Sequence, residues 1–275
     1  GGIVVVNAAA AVRDRFHGAE AAKVFSLIGM VRSLAPLLAP AIGAFIIHFF
    51  HWEAIFIFLT LYAFIVAFFV YKDLPESYTY SKQNIIESYK IVLKHKIAIK
   101  AMLALGFSFG GFFIIIAKTS FIYIEHFKIQ TDYFPFFFGI NFIILILMIK
   151  VNVSLLKKFN PVELVKIAIL FQTAAGILFV FNYENISLVT IVILIAIYMS
   201  MMAFIFGNCM ALALEHFPKN AGVASGVIGV LQFGLGAIIS SIALNFHNET
   251  FLPIALSISI ISFFAYLIMR TYKNV

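Results

Sequence analysis

Few side chains in this sequence could do chemistry, and most of them stand at the ends of long apolar runs. Asp14 and Glu215 are carboxylates with bases close by in sequence, Arg13, Arg15 and Lys219. Such an arrangement either pairs charges and latches helix ends as a cytoplasmic gate, or lies in solvent. Arg32 is a guanidinium about 13 Å deeper along a helix than Lys23, at ~1.5 Å per residue. A charge there costs from ~2.5 to more than ~10 kcal/mol, so it should face protein or water, not lipid. It is read as a charge lining a cavity, the alternative being a side chain that snorkels to the headgroups. Asn7, Asn141, Gln172, Asn208 and Gln232 are amides well inside apolar runs. Each either lines a cavity for a small-molecule substrate or makes an interhelical hydrogen bond worth ~0.6 kcal/mol. No Asp or Glu falls in the middle of a run. The histidines sit at or beyond run ends without the paired spacing of a metal site. No glycine-rich loop followed by Lys-Ser/Thr is present. Neither catalytic residues, nor a metal site, nor a cofactor is expected, and the chain is not read as an enzyme.

The elements that position these groups follow from composition. The 275 residues are 63% hydrophobic and only 11% charged, with 33 Phe and a mean hydropathy of +1.07. Soluble domains are roughly 45–50% apolar and about 25% charged. Runs of ~20 apolar residues cross a bilayer, and nine are expected. They are Gly1 to Val12 (incomplete), Val24–Phe50, Ala54–Tyr71, Ala98–Ile124, Tyr133–Val151, Leu164–Phe181, Leu188–Leu214, Ala221–Phe246 and Phe251–Met269. Lys118 breaks the fourth run, which is expected to end early there, and with Thr119 and Ser120 it marks either an outer kink in the span or the outer loop. The net charge of +7 is carried in short islands between runs, which argues against nucleic acid as partner. Loops rich in Lys and Arg alternate with poor ones along the whole chain, so the rich loops and the C-terminus are assigned to the cytoplasm. The single cysteine, Cys209, permits no disulfide framework.

An internal repeat sets the architecture. Asn7, Asp14 and Phe16 recur as Asn208, Glu215 and Phe217, all at one interval of 201 residues. One position out of that register, Ile28-Gly29 matches Ile228-Gly229 and Arg32 faces Gln232. Gly29, Ser33, Pro36, Pro40 and Gly43 step by four and three along one helix face, where they permit either a functional bend or close packing. The repeat unit is six helices, the organisation of one large transporter class. Nine spans then imply three more before Gly1. The divisions are 1–71, the remainder of a first helical half; 72–97, a cytoplasmic linker whose Ile85 to Leu93 is an amphipathic surface helix; and 98–275, a second six-helix half.

The residues resemble the major facilitator superfamily, and within it the bicyclomycin-resistance (Bcr/CflA) type of drug:proton antiporter. Ala11-Val-Arg13-Asp14-Arg-Phe16 with Ala21-Ala22-Lys23-Val24 is similar to that type's end of helix four. Leu34-Ala-Pro36-Leu-Leu-Ala-Pro40-Ala-Ile-Gly43 resembles its antiporter motif in helix five, with Ser26, Ala35, Ala39 and Ala44 in place of glycines. Leu74-Pro75-Glu76-Ser77 resembles the close of helix six. Ala211-Leu-Ala-Leu-Glu215, Ala221-Gly222-Val-Ala-Ser225-Gly226 and Gln232 resemble the junction of helices ten and eleven. The resemblance implies an all-α bundle running from the second part of helix 4 to helix 12. It implies export of drugs or small amphipathic molecules by a monomer in the bacterial inner membrane, driven by the proton gradient. It also places a proton-coupling carboxylate in helices that would precede Gly1. A metabolite carrier of the same fold, a non-transporting remnant and a membrane scaffold are the alternatives.

Overall fold

The computed structural model describes residues 2–73, 84–130, 133–245 and 251–272, and every regular element among them is a helix. The helices are α1 Gly2–Arg15, α2 Gly18–Phe49, α3 Glu53–Asp73, α4 Ile85–Lys94, α5 Lys96–Ser120, α6 Phe134–Leu155, α7 Pro161–Phe181, α8 Leu188–Ser200, α9 Met202–Leu214, α10 Ala221–Gly229, α11 Gly236–Asn245 and α12 Leu252–Arg270. A π-helical turn, Phe121–His126, extends α5, and another, Val230–Leu235, joins α10 to α11. Seven helical stretches among the described residues are long and apolar enough to cross a membrane. They coincide with the third to ninth expected spans, α8 with α9 and α10 with α11 each serving as one. The protein is an integral membrane protein. At ~1.5 Å per residue α1 is about 21 Å long, matching the short first segment, whereas α2 has 32 residues and runs unbroken past Pro36 and Pro40.

Helix starts follow from local chemistry. Asn160 Oδ1 accepts from the Val162 amide at 3.0 Å, with Pro161 at the first helical position of α7, and Ser187 Oγ accepts from Thr190 at 3.1 Å. Both satisfy amides that a helix leaves unpaired at its N-terminus. Asn84 does the same for Ile86, and the His95 imidazole Nδ1 for Ala98 at the start of α5.

The chain forms two units, Gly1–Met30 with Gln83–Val275, and Val31–Lys82. The smaller unit holds the later part of α2 and all of α3. No residue of α3 is buried, and a helix apolar on every side has a lipid-facing composition. In the larger unit, glycines set the close approaches. A Cβ at Gly176 of α7 would come within 2.9 Å of the Ser259 backbone on α12, and one at Gly106 of α5 within 2.9 Å of the Leu231 carbonyl. Small residues at such crossings are what lets helices pack in lipid, where no hydrophobic force joins them.

Two expectations are corrected. Lys118 neither ends its helix nor lies in a loop: α5 continues through it to Ser120 and on to His126 as a π-helical turn, with the ammonium 5.5 Å from the Phe121 ring centroid. The fifth run does not end at Val151: Asn152 is still within the helix. The alternation of Phe142, Leu145, Ile149, Asn152 and Leu156 at threes and fours is all buried, so the core-facing stripe carries α6 on to Leu155. The linker's surface helix is present as α4; Pro75, Glu76 and Ser77 lie outside the described residues.

Candidate functional site

One end of the larger unit gathers the basic ends of many helices. Lys100 Nζ of α5 donates to the Thr271 carbonyl beyond α12 at 2.8 Å, and Lys166 Nζ of α7 donates to the Tyr272 carbonyl at 3.0 Å. Carbonyls at a helix C-terminus lack intrahelical partners and carry the negative end of the dipole, so cations there are favoured.

Arg13 does this most completely. Its side chain, 8% exposed, reaches from α1 to the end of α9. Nε donates to the Leu214 carbonyl at 2.9 Å and Nη2 to the Glu215 carbonyl at 3.2 Å, while Nη1 lies 2.8 Å from His17 Nδ1. The guanidinium is therefore an inter-helix C-cap that takes backbone carbonyls and not a carboxylate. Arg13 and Leu214 are 201 positions apart, the interval of the sequence repeat. Asp14 is exposed.

Beside this cap lie Glu215, His216 and His95. The His95 and His216 rings stack at 4.5 Å between centroids, and His95 also meets Phe217 edge-on. His216 Nε2 stands 3.7 Å from Glu215 Oε1, too long for a hydrogen bond. Burial, and the charge of a protonated His95, hold the His216 pKa below its ordinary 6.5. Partial burial raises Glu215 above 4.5, opposed by the Arg13 charge. Near and below about pH 6.5 the unfolded chain then binds more protons at His216 than the folded one, so stability is lost as the pH is lowered through that window. Glu215 acts oppositely, but only from its ordinary range upward. Melting of the wild type should thus drop between about pH 7.5 and 5.5 relative to His216→Gln; coincident curves would remove His216 from this role.

Deeper in the same unit a buried polar chain links three helices. Asn152 Nδ2 of α6 donates to Ser26 Oγ of α2 at 2.9 Å, and Asn208 Nδ2 of α9 donates to Asn152 Oδ1 at 3.1 Å. Both amides are fully buried and Ser26 is 1% exposed. Asn208 Oδ1 has no hydrogen-bond partner among the described residues. Gly207 makes the crossing possible: a Cβ there would strike Ser26 Oγ, come 2.6 Å from the Ser26 amide nitrogen and 2.9 Å from the Ala22 carbonyl. One turn further along α2, Gly29 packs on the Phe206 ring.

Arg13, Glu215, Ser26 and Asn208, all singled out in sequence, thus fall at or beside one junction between α1–α2 and α9. The others do not. Asn141 is buried in α6 and donates to its own helix at Phe137, 2.8 Å away. Gln232 is buried in the π-helical turn with its Nε2 unpartnered among the described residues. Gln172 donates to the Tyr198 carbonyl at 3.1 Å, bridging α7 and α8. Asn7, Ala35 and Ala39 are exposed, and Arg32 and Gly43 are half-buried. The side chains of Pro40 and Ala44 lie outside the described residues. Asn152, Gly207 and the His95–His216 stack were missed from sequence; the unbroken three-four spacing of α6 was the available sign for Asn152.

Residues 1–241 match the model of the Major Facilitator Superfamily. The chain belongs to that superfamily. It is 32% identical over 278 residues to a bicyclomycin resistance protein homolog of Haemophilus influenzae, covering 97% of this chain and 69% of the relative. It is 28% identical to an uncharacterized transporter of the superfamily, YdgK of Bacillus subtilis, with 90% and 64% covered. Over 103 residues it is 35% identical to the multidrug transporter MdfA of Escherichia coli O157:H7, covering 36% of this chain and 25% of that one. The chain spans about two thirds of the length of the first two of these superfamily relatives.

Proposed function

We propose that the protein exports drugs or small amphipathic molecules across the bacterial inner membrane, as a monomer driven by the proton gradient. The observation that carries this reading is the similarity, over nearly the whole chain, to a bicyclomycin resistance protein homolog. Similarity to a multidrug transporter over part of the chain supports it further. The two six-helix halves meet, on this reading, where α1 and α2 touch α9. Arg13 on the Leu214 and Glu215 carbonyls and the Ser26–Asn152–Asn208 chain hold that junction shut. The basic helix ends gathered there support a cytoplasmic side for it, and so a cytoplasmic C-terminus. Alternating access then requires these contacts to break and an outer set to form, with substrate and proton binding the two states unequally. No carboxylate stands mid-span in these helices.

Arg32, within α2, is assigned to the substrate cavity or to positioning a carboxylate. In the complete transporter, Arg32→Ala should lower energy-dependent dye export about tenfold while membrane abundance falls less than about twofold, since a hydrogen bond to a charged group is worth ~1.5–3 kcal/mol. Equal losses of export and abundance would make Arg32 structural. Full export by Arg32→Lys would exclude a planar, two-pronged contact. Absence of dye or drug export by the complete wild-type protein, at normal abundance, would turn the reading to a metabolite carrier or a scaffold.

A further inference from the structure

α4 is a short helix with more apolar surface than the protein covers. Its start is fixed by the Asn84 cap, and Ser88 and Val92 are buried where it packs against α10 and α5. Beside that buried edge, Ile85, Tyr89, Leu93 and Ile86 continue the apolar stripe, following the helical period. All four are exposed, Ile85 by 69% and Leu93 by 57%. Lys90 and Lys94 border the stripe one turn apart, and Lys96 follows. Only His95 separates α4 from α5, whose membrane-crossing stretch begins at Lys96. Ten residues at ~1.5 Å each keep all of α4 within about 15 Å of the span, a distance comparable to the ~8–10 Å over which a charged surface acts.

We propose that this face of α4 lies in the headgroup layer of the leaflet at the basic end and binds anionic phospholipid. The inference shares with the proposed function only the assignment of that end to the cytoplasm; the binding itself does not depend on transport. Ile85, Ile86, Tyr89 and Leu93 enter the interface and the three lysines meet phosphate oxygens. This covers an apolar face that water would otherwise wet, and it pins the chain between the two halves to the membrane surface.

The test places an indole in the stripe by Tyr89→Trp, with the sole tryptophan removed by Trp52→Phe, in the intact protein reconstituted into nanodiscs. Lipids brominated near the headgroup should quench the indole, and aqueous iodide should not. The association constant of phosphatidylglycerol relative to phosphatidylcholine at this site should be on the order of tenfold above one, since lysines near the surface favour anionic headgroups. It should fall toward one in Lys90→Gln with Lys94→Gln and Lys96→Gln, and likewise on raising salt in the unsubstituted protein, so the result does not hang on one variant. Quenching by iodide but not by bromolipid overturns the proposal in favour of a cytosolic face. Quenching by neither shows that protein covers it. Equal constants for the two lipids remove the anionic preference. A wild-type protein that shows the lipid preference but exports nothing would separate this inference from the transport reading.

Discussion

Gly207→Val is expected to lower the amount of folded protein in the membrane about fivefold or more, with Gly207→Ala showing a smaller loss in the same direction. The groups a new Cβ would meet are mainly backbone, the Ser26 nitrogen at 2.6 Å and the Ala22 carbonyl at 2.9 Å. Backbone cannot rotate away as a flexible side chain can. Relief requires α2 and α9 to separate, which stretches the Asn152–Ser26 hydrogen bond and opens the packing of Phe25 and Cys209, both now buried. Overpacking typically costs ~1–3 kcal/mol, and losses of 1–2 kcal/mol change cellular abundance several-fold. Immunoblots of the membrane fraction and melting of purified protein check it. Wild-type abundance and melting for Gly207→Val would mean that α2 and α9 do not approach this closely.

The second large effect is expected at Arg13. Arg13→Ala removes two charge-assisted hydrogen bonds to the end of α9, and bonds of that kind are worth ~1.5–3 kcal/mol each. Ser26 lies beneath the junction and is nearly fully buried, so it is the place to read opening. With Cys209→Ser removing the native thiol, a Ser26→Cys protein should label slowly with a water-soluble maleimide. Adding Arg13→Ala should speed labelling at least about tenfold, tenfold being ~1.4 kcal/mol. Arg13→Lys should fall between, since an ammonium keeps the charge at the helix end but not the two-pronged reach. An unchanged rate in Arg13→Ala would show that the cap does not hold the junction closed.

The residues explain how far the sequence was readable. Span positions were legible because apolar length decides them, and the loops because lysines and arginines mark them. Arg13 and Glu215 were noticed as charges at a helix end, yet the partner of Arg13 was hidden. A backbone carbonyl has no letter in a sequence, so any neighbour of Leu214 would look the same. Asn152, a polar residue close to Lys150 and Lys157, resembles the beginning of a loop. Only the spacing from Phe142 to Leu156 distinguishes a buried amide from a wet one. Gly207 carries no side chain to pattern at all, and its meaning exists only against Ser26 and Ala22. The His95–His216 stack joins residues 121 apart in sequence, a proximity no local pattern encodes.

The contact between Arg13 and Leu214 joins the two copies of the internal repeat at matching positions. Leu214 occupies, in the second copy of the repeat, the place Arg13 holds in the first, since the interval between them is the interval between Asn7 and Asn208. A segment that touches its own duplicate at matching positions is looking at itself. The contact pairs the cation of one copy with backbone carbonyl oxygens of the other. One residue further on, both copies carry an acid, Asp14 and Glu215.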